Sequence, residues 1–176
     1  MLPSSVVGTA HLQSLAHELE ETSSLCVLEG QDILYVERVA APRLHLMNVS
    51  IGNRLPAWAT SMGRVLIAQL AEAEQESFLE RVQLKRYTEH TVADLDALRR
   101  ELDTVRDQGW SLVNQELDEG LRSLAVPVYR KNQLLGALNI SVQAGRNNPE
   151  AIKQILLSKL REAATAIADD FGGRLA

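Results

Sequence analysis

Residues 121–142 read Leu121-Arg122-Ser123-Leu124-Ala125-Val126-Pro127-Val128-Tyr129-Arg130-Lys131-Asn132-Gln133-Leu134-Leu135-Gly136-Ala137-Leu138-Asn139-Ile140-Ser141-Val142. Two apolar runs flank the polar Arg130–Gln133, which predicts two long antiparallel strands joined by a tight turn. Pro127 has no N–H to give a ladder, so it marks an edge or a bulge near the end of the first strand. Side chains alternate along a strand. Ser123 and Ala125 therefore share one face of the first, and Asn139 and Ser141 one face of the second. A face carrying Ser123, Asn139 and Ser141 is polar for strands this apolar. Either it meets solvent, or it lines a cavity that holds a small polar ligand.

The same logic extends in both directions. Trp110–Val113 reads as a further strand, and Asn114–Gly120 as a polar connection whose acidic part, Glu116 to Glu119, reads as a solvated loop. Before it, Leu95, Leu98, Leu102 and Val105 form one helical stripe. Thr91 and Asp94 resemble a capping box with Asp in place of Glu, and Gly109 stands where a C-terminal cap belongs. Leu25–Leu28 and Ile33–Val36 around Glu29–Asp32 read as a hairpin, and Leu44–Val49, after Pro42, as a third strand. Thr9 is placed to cap a first helix built on Leu12, Leu15, Ala16 and Leu19. Arg64–Leu70 and a segment around Glu72–Val82 read as short helices, and Pro149 opens a long one reaching Gly172. The expected class is α+β: a curved, mainly antiparallel sheet of about six strands with helices around it. The helices at the two chain ends should share one face.

At 176 residues the chain is one domain, large enough to bury a core without staples. Its 45% apolar content is ordinary, but two Phe, two Trp and three Tyr leave the core to aliphatics. The net charge of −5 argues against a free-standing nucleic-acid binder. A single cysteine, Cys26, excludes an internal disulfide and reads as a buried strand residue. No apolar run is long enough to span a membrane, and the start lacks the pattern of a secretory signal. The cytoplasm is the expected compartment, with no metal and no cofactor.

Catalytic patterns are missing. There is no HExxH, no GxSxG, no GxGxxG and no phosphate-cradling loop. A Ser–His–acid triad drawn from distant residues stays open, and the enzymatic reading carried forward is a nucleophile at Ser61 or Cys26. The stronger feature is Ala59-Thr60-Ser61-Met62-Gly63 ahead of a helix. A helix N-terminus exposes unpaired N–H groups and a positive partial charge, and small residues let a carboxylate approach. Two readings stand: Thr60 or Ser61 caps its own helix, or the turn receives a ligand.

Four motifs resemble the IclR-type transcriptional regulators in order and spacing over residues 10–172. They are Arg54-Leu55-Pro56 with Thr60 to Ala68, Tyr87-Thr88 with Thr91, Leu95 and Leu98, Gly109-Trp110 with Glu116 and Gly120–Val128, and Gly136–Val142. The resemblance implies a GAF-like effector-binding domain, residues 9–176, with residues 1–8 as the remnant of a linker. It also implies homodimers or tetramers, with DNA bound only through an N-terminal winged helix-turn-helix absent from this sequence. Pocket positions carried over are Leu44 and Leu55 (apolar wall), Ser61 and Met62 (amides meeting a carboxylate), Ser123, and the polar pair Asn139 and Ser141. Thr60 belongs to the same loop, and Trp58 lies beside it as a candidate for stacking on a ring. Asn139 departs from the usual Ser. Val113 stands where some members carry Asp, which argues against a glyoxylate or pyruvate type of effector. The loop looks most like the branch controlling aromatic-acid catabolism, which responds to protocatechuate, 4-hydroxybenzoate or β-ketoadipate. The alternative is a GAF- or PAS-like sensor domain of a non-transcriptional signalling protein.

Overall fold

The computed structural model describes residues 6–41, 49–146 and 148–173. Among them the order is α1 (Val6–Leu19), β1 (Thr22–Glu29), β2 (Asp32–Val39), β3 (Arg54–Pro56), α2 (Ser61–Ala68), α3 (Glu72–Arg81), α4 (Leu95–Gln108), β4 (Ser111–Asn114), β5 (Leu121–Arg130), β6 (Gln133–Gln143) and α5 (Pro149–Gly173). A 3-10 turn, Ala57–Ala59, precedes α2. No described helix is long and apolar enough to cross a membrane.

The strands form one curved sheet in the order β3-β2-β1-β6-β5-β4, with every neighbouring pair antiparallel. The hairpin read from residues 121–142 is its longest ladder, from Leu121 opposite Gln143 to Arg130 opposite Gln133. Pro127 lies beyond the last β4 pair, Ser111 with Ala125, and a bulge follows at Val128/Tyr129. Its missing N–H therefore interrupts no ladder there.

Alternation divides the sheet into two faces. Leu124, Val126, Val128, Leu138, Ile140 and Val142 point under α1 and α5 and pack with Leu12, Leu15, Ile152, Leu156 and Leu160. The helices from the two chain ends thus share one face, as expected. Ala125, Ala137, Cys26, Tyr35 and Ile33 point the other way, toward α2, α3 and α4. Helix α2 is buried along its whole length, which makes it the centre of the second layer.

Four local expectations are corrected. Helix α1 begins at Val6, so Thr9 lies inside it and donates to Glu37 Oε2 at 2.7 Å instead of capping. A tertiary partner there overrides a local preference. The cap of α4 is Asp94 alone, accepting from the Ala97 amide at 3.0 Å. Thr91 Oγ1 instead accepts from the amides of Tyr87 and Thr88 and donates to the Glu116 carbonyl. Helix α2 starts at Ser61, three residues before Arg64. Most of the expected strand Leu44–Val49 lies outside the described residues, and Val49 is not in a strand. The third strand is Arg54–Pro56, pairing Leu55 with Ile33, and three residues are too few to show a period of two. The expected C-terminal cap does form: Gly109, at φ +80°, donates to the Val105 carbonyl.

Candidate functional site

A cleft opens between the N-terminus of α2, the β4–β5 loop and the polar face of the sheet. It measures about 400 Å³ with its open mouth counted. Its floor is Ser123, Asn139 and Ser141, which register brings together: Ser123 lies opposite Ser141 and Asn139 opposite Ala125. Asn139 Nδ2 donates to Ser123 Oγ at 2.8 Å and to Ser141 Oγ at 3.2 Å. Ser123 Oγ shares a 2.7 Å hydrogen bond with Ser61 Oγ, which ties the floor to α2. The polar face seen in the sequence is therefore the inside of a cavity.

The first of the two readings of the turn into α2 holds. Thr60 caps: its Oγ1 accepts from the Gly63 amide and donates to the Ala57 carbonyl, each at 3.1 Å. The amides of Ser61 and Met62 remain in the first turn, where the helix offers them no carbonyl. Gly63 is required, because a Cβ there would fall 2.0 Å from the Ala57 carbonyl oxygen. The close approach of the 3-10 turn sets where the helix begins.

Leu55, Thr60, Ser61, Met62, Ser123, Asn139 and Ser141 all line the cleft, and so does Val113. Leu44 lies outside the described residues. Trp58 does not line the cleft. It is buried in the core, 5.9 Å from the Tyr87 ring centre to centre, so its ring is already engaged.

Ala59, from the candidate turn, also lines the cleft; the sequence reading missed Tyr35, Glu116, Leu117, Asp118 and Leu121 on the wall. Tyr35 is buried, and burial pushes its hydroxyl up to about 12, so it stays protonated and can donate. The solvated reading of Glu116–Glu119 is corrected at Glu116, which is buried. Its carboxylate accepts Arg64 Nη1 and Nη2 at 2.9 and 2.8 Å, and the Val92 amide at 3.0 Å. Arg64, fully buried, also donates from Nε to the Trp58 carbonyl at 2.8 Å. This bidentate pair fastens the β4–β5 loop to α2. An arginine inside the otherwise apolar Val65-Leu66-Ile67-Ala68 helix was the available signal.

The arrangement is that of a binding site. Free helix amides stand at one end, aliphatic walls between, and an amide and hydroxyls form the floor. Residues 6–169 match the family model described as bacterial transcriptional regulator IclR C-terminal.

The chain belongs to the IclR C-terminal family.

It is 38% identical over 173 residues to the Pca regulon regulatory protein of Pseudomonas putida, covering 97% of this chain and 60% of that protein. Among solved structures, it is similar to the inducer-binding domain of the PobR transcription factor from Acinetobacter, a double mutant in complex with 3-hydroxybenzoic acid. There the TM-score is 0.85 at 32% identity, covering 92% of this chain and 95% of that one. An IclR homolog complexed with 4-hydroxybenzoate, from Microbacterium hydrocarbonoxydans, matches with a TM-score of 0.86 at 26% identity, covering 98% and 72%. The chain thus spans about 60% of the length of its first named relative. Its relatives are transcriptional regulators, not enzymes, and the IclR C-terminal domain is where such regulators bind effectors.

Proposed function

We propose that this domain senses a small carboxylate, with a hydroxylated aromatic acid such as 4-hydroxybenzoate or protocatechuate in first place. One observation carries the reading: Ser61 and Met62, in the first turn of α2, and the Ser123–Asn139–Ser141 floor line one cleft. The carboxylate docks on the amides, where backbone donors and the helix dipole favour an anion. The ring lies between Leu55 and Met62, and its hydroxyl meets Asn139, Ser141 or Ser123. Val113 adds no carboxylate to a wall that already carries Asp118 and the Arg64-bound Glu116. The aromatic acids bound to the PobR domain and to the Microbacterium homolog support the choice of ligand.

The domain acts within a longer cytoplasmic regulator, whose N-terminal winged helix-turn-helix binds the operator and whose effector domains pair as dimers or tetramers. Effector binds one arrangement of the assembly better and shifts the population toward it. Calorimetry against a panel of aromatic and aliphatic carboxylates tests the reading. Binding of an aromatic hydroxy acid is expected, and silence from the whole panel at millimolar concentration overturns it. Ser61→Tyr fills the cleft and should abolish binding while circular dichroism stays native; unchanged affinity removes Ser61 from the site.

A further inference from the structure

Among the described residues, Arg38 is a cation on the cleft side of the sheet that rests against an aromatic ring and has no carboxylate partner. Ser24 pairs across the ladder with Arg38 on one side and with Asn139 on the other. Directly opposed residues of an antiparallel sheet share a face, so Arg38, Ser24 and Asn139 form one row along the cleft side. The guanidinium carbon stands 6.0 Å from the centre of the Tyr35 ring, and Tyr35 lines the cleft. Arg38 is half-buried, yet no described carboxylate pairs with it. Residues 1–5, 42–48, 147 and 174–176 contain no Asp or Glu that could serve. Arg64, by contrast, has Glu116.

Two further atoms of this row lack partners. Ser24 is fully buried and its Oγ has no hydrogen bond; Asn139 is 4% exposed and its Oδ1 has none. A cation drawn out of water without a counter-ion is costly, and so is each buried polar atom left alone. A bound anion offsets part of these costs, at Arg38 and Ser24: it pairs with the guanidinium, and the Ser24 hydroxyl can donate to it. Asn139 Oδ1 only accepts and needs a donor from elsewhere on the ligand.

We propose that Arg38 and Ser24, which stand outside the cleft lining in the row that continues its Asn139 floor, form a second anion subsite on the side away from α2. Arg38 is then the residue by which the protein grades carboxylates, favouring those with a second acidic group. Strands β5 and β2 are three inter-strand steps apart, roughly 14 Å. Ser61 bonds to β5, and an arginine on β2 reaches inward from the other side. A ring with acid groups para to one another, or a medium-length aliphatic diacid, has the span to touch both ends.

The inference rests on the carboxylate reading of the cleft, and the test separates the two. Calorimetry compares 4-hydroxybenzoate with terephthalate and adipate on the wild type, Arg38→Gln and Arg38→Lys. At least one diacid is expected to bind the wild type about 10- to 100-fold tighter than the monoacid, the range of a charge-assisted contact. Arg38→Gln should remove that advantage and leave the monoacid within about twofold, and Arg38→Lys should restore part of it. Arg38→Gln is expected to melt within about 4 °C of the wild type, because it removes a half-buried charge that has no carboxylate and only the Tyr35 ring beside it. Equal loss for monoacid and diacid, or no loss for either, overturns the second subsite and leaves the carboxylate reading standing. Binding of the monoacid alone does the same. Silence from all three ligands on folded wild type overturns both.

Discussion

The two faces of the sheet are made from the same strands and do opposite work. On β6, Leu138, Ile140 and Val142 enter a mainly aliphatic layer with α1 and α5, with Trp110 packed against it. The alternate residues, Ala137, Asn139 and Ser141, face α2. The first face gains mainly from apolar burial, at roughly 25 cal/mol per Å², and its buried Ser23 and Glu37 are both hydrogen-bonded. The second buries hydroxyls, an amide, an arginine and a glutamate, each costly unless partnered. Most are partnered, through the Ser61–Ser123–Asn139–Ser141 chain and the Arg64–Glu116 pair. The difference teaches where to look for function: one face holds the domain together, and the other spends part of that stability on recognition.

The sharpest break in this contrast is Arg64→Met. It leaves Glu116 buried with no cation, and removing one partner of such a pair costs about 3–5 kcal/mol. Urea denaturation should show that loss. Replacing both members, Arg64→Met with Glu116→Gln, should recover part of it, since Gln keeps acceptor capacity for the Val92 amide. A loss under 1 kcal/mol for Arg64→Met would mean that the cleft face is no more dependent on its polar partners than an exposed surface.

Neighbours on one strand separate the faces further. Leu124 is fully buried under α5, while Ser123 lines the cleft. Leu124→Ala should cost about 2–5 kcal/mol of stability and leave effector affinity unchanged in the folded fraction. Ser123→Ala should cost only about 0.5–1.5 kcal/mol, the net worth of a hydrogen bond, and weaken effector binding. Denaturation curves and calorimetry on both variants decide. If the two variants exchange these effects, the assignment of faces is reversed.

How far the sequence foretold this depended on range. The β5–β6 hairpin and α4 were legible because their signals are local: a period of two, a stripe at helical spacing, and Gly109 where the chain must turn left-handed. Ser123, Asn139 and Ser141 were legible as a set because alternation joins Asn139 to Ser141 and the short turn of the hairpin brings Ser123 beside them. Glu116 was not, because acidic loops usually meet water and its partner Arg64 lies 52 residues away. Trp58 was misplaced because nearness along the chain says nothing of direction. Its 3-10 turn aims the ring into the core against Tyr87. Tyr35 escaped notice because its place on the wall depends on register with Cys26 across the bulge at Leu25/Cys26.

Cys26 offers the gentlest test, since its expected effect is none. It lies on the cleft side of β1, two residues from Ser24, opposite Ala137 and Tyr35. It is fully buried, and burial pushes its thiol well above the ordinary range, so almost no thiolate is present at neutral pH. Cys26 therefore marks where the cleft side stops being a binding wall and becomes core. A thiol reagent in native buffer should modify it only as fast as the whole domain unfolds, at a rate that climbs with urea in step with global denaturation. Effector should slow the reaction only by as much as it raises overall stability. Fast labelling that effector blocks at low occupancy would move the boundary, extending the cleft along β1 past Ser24 and making the polar row only the outer part of a deeper site.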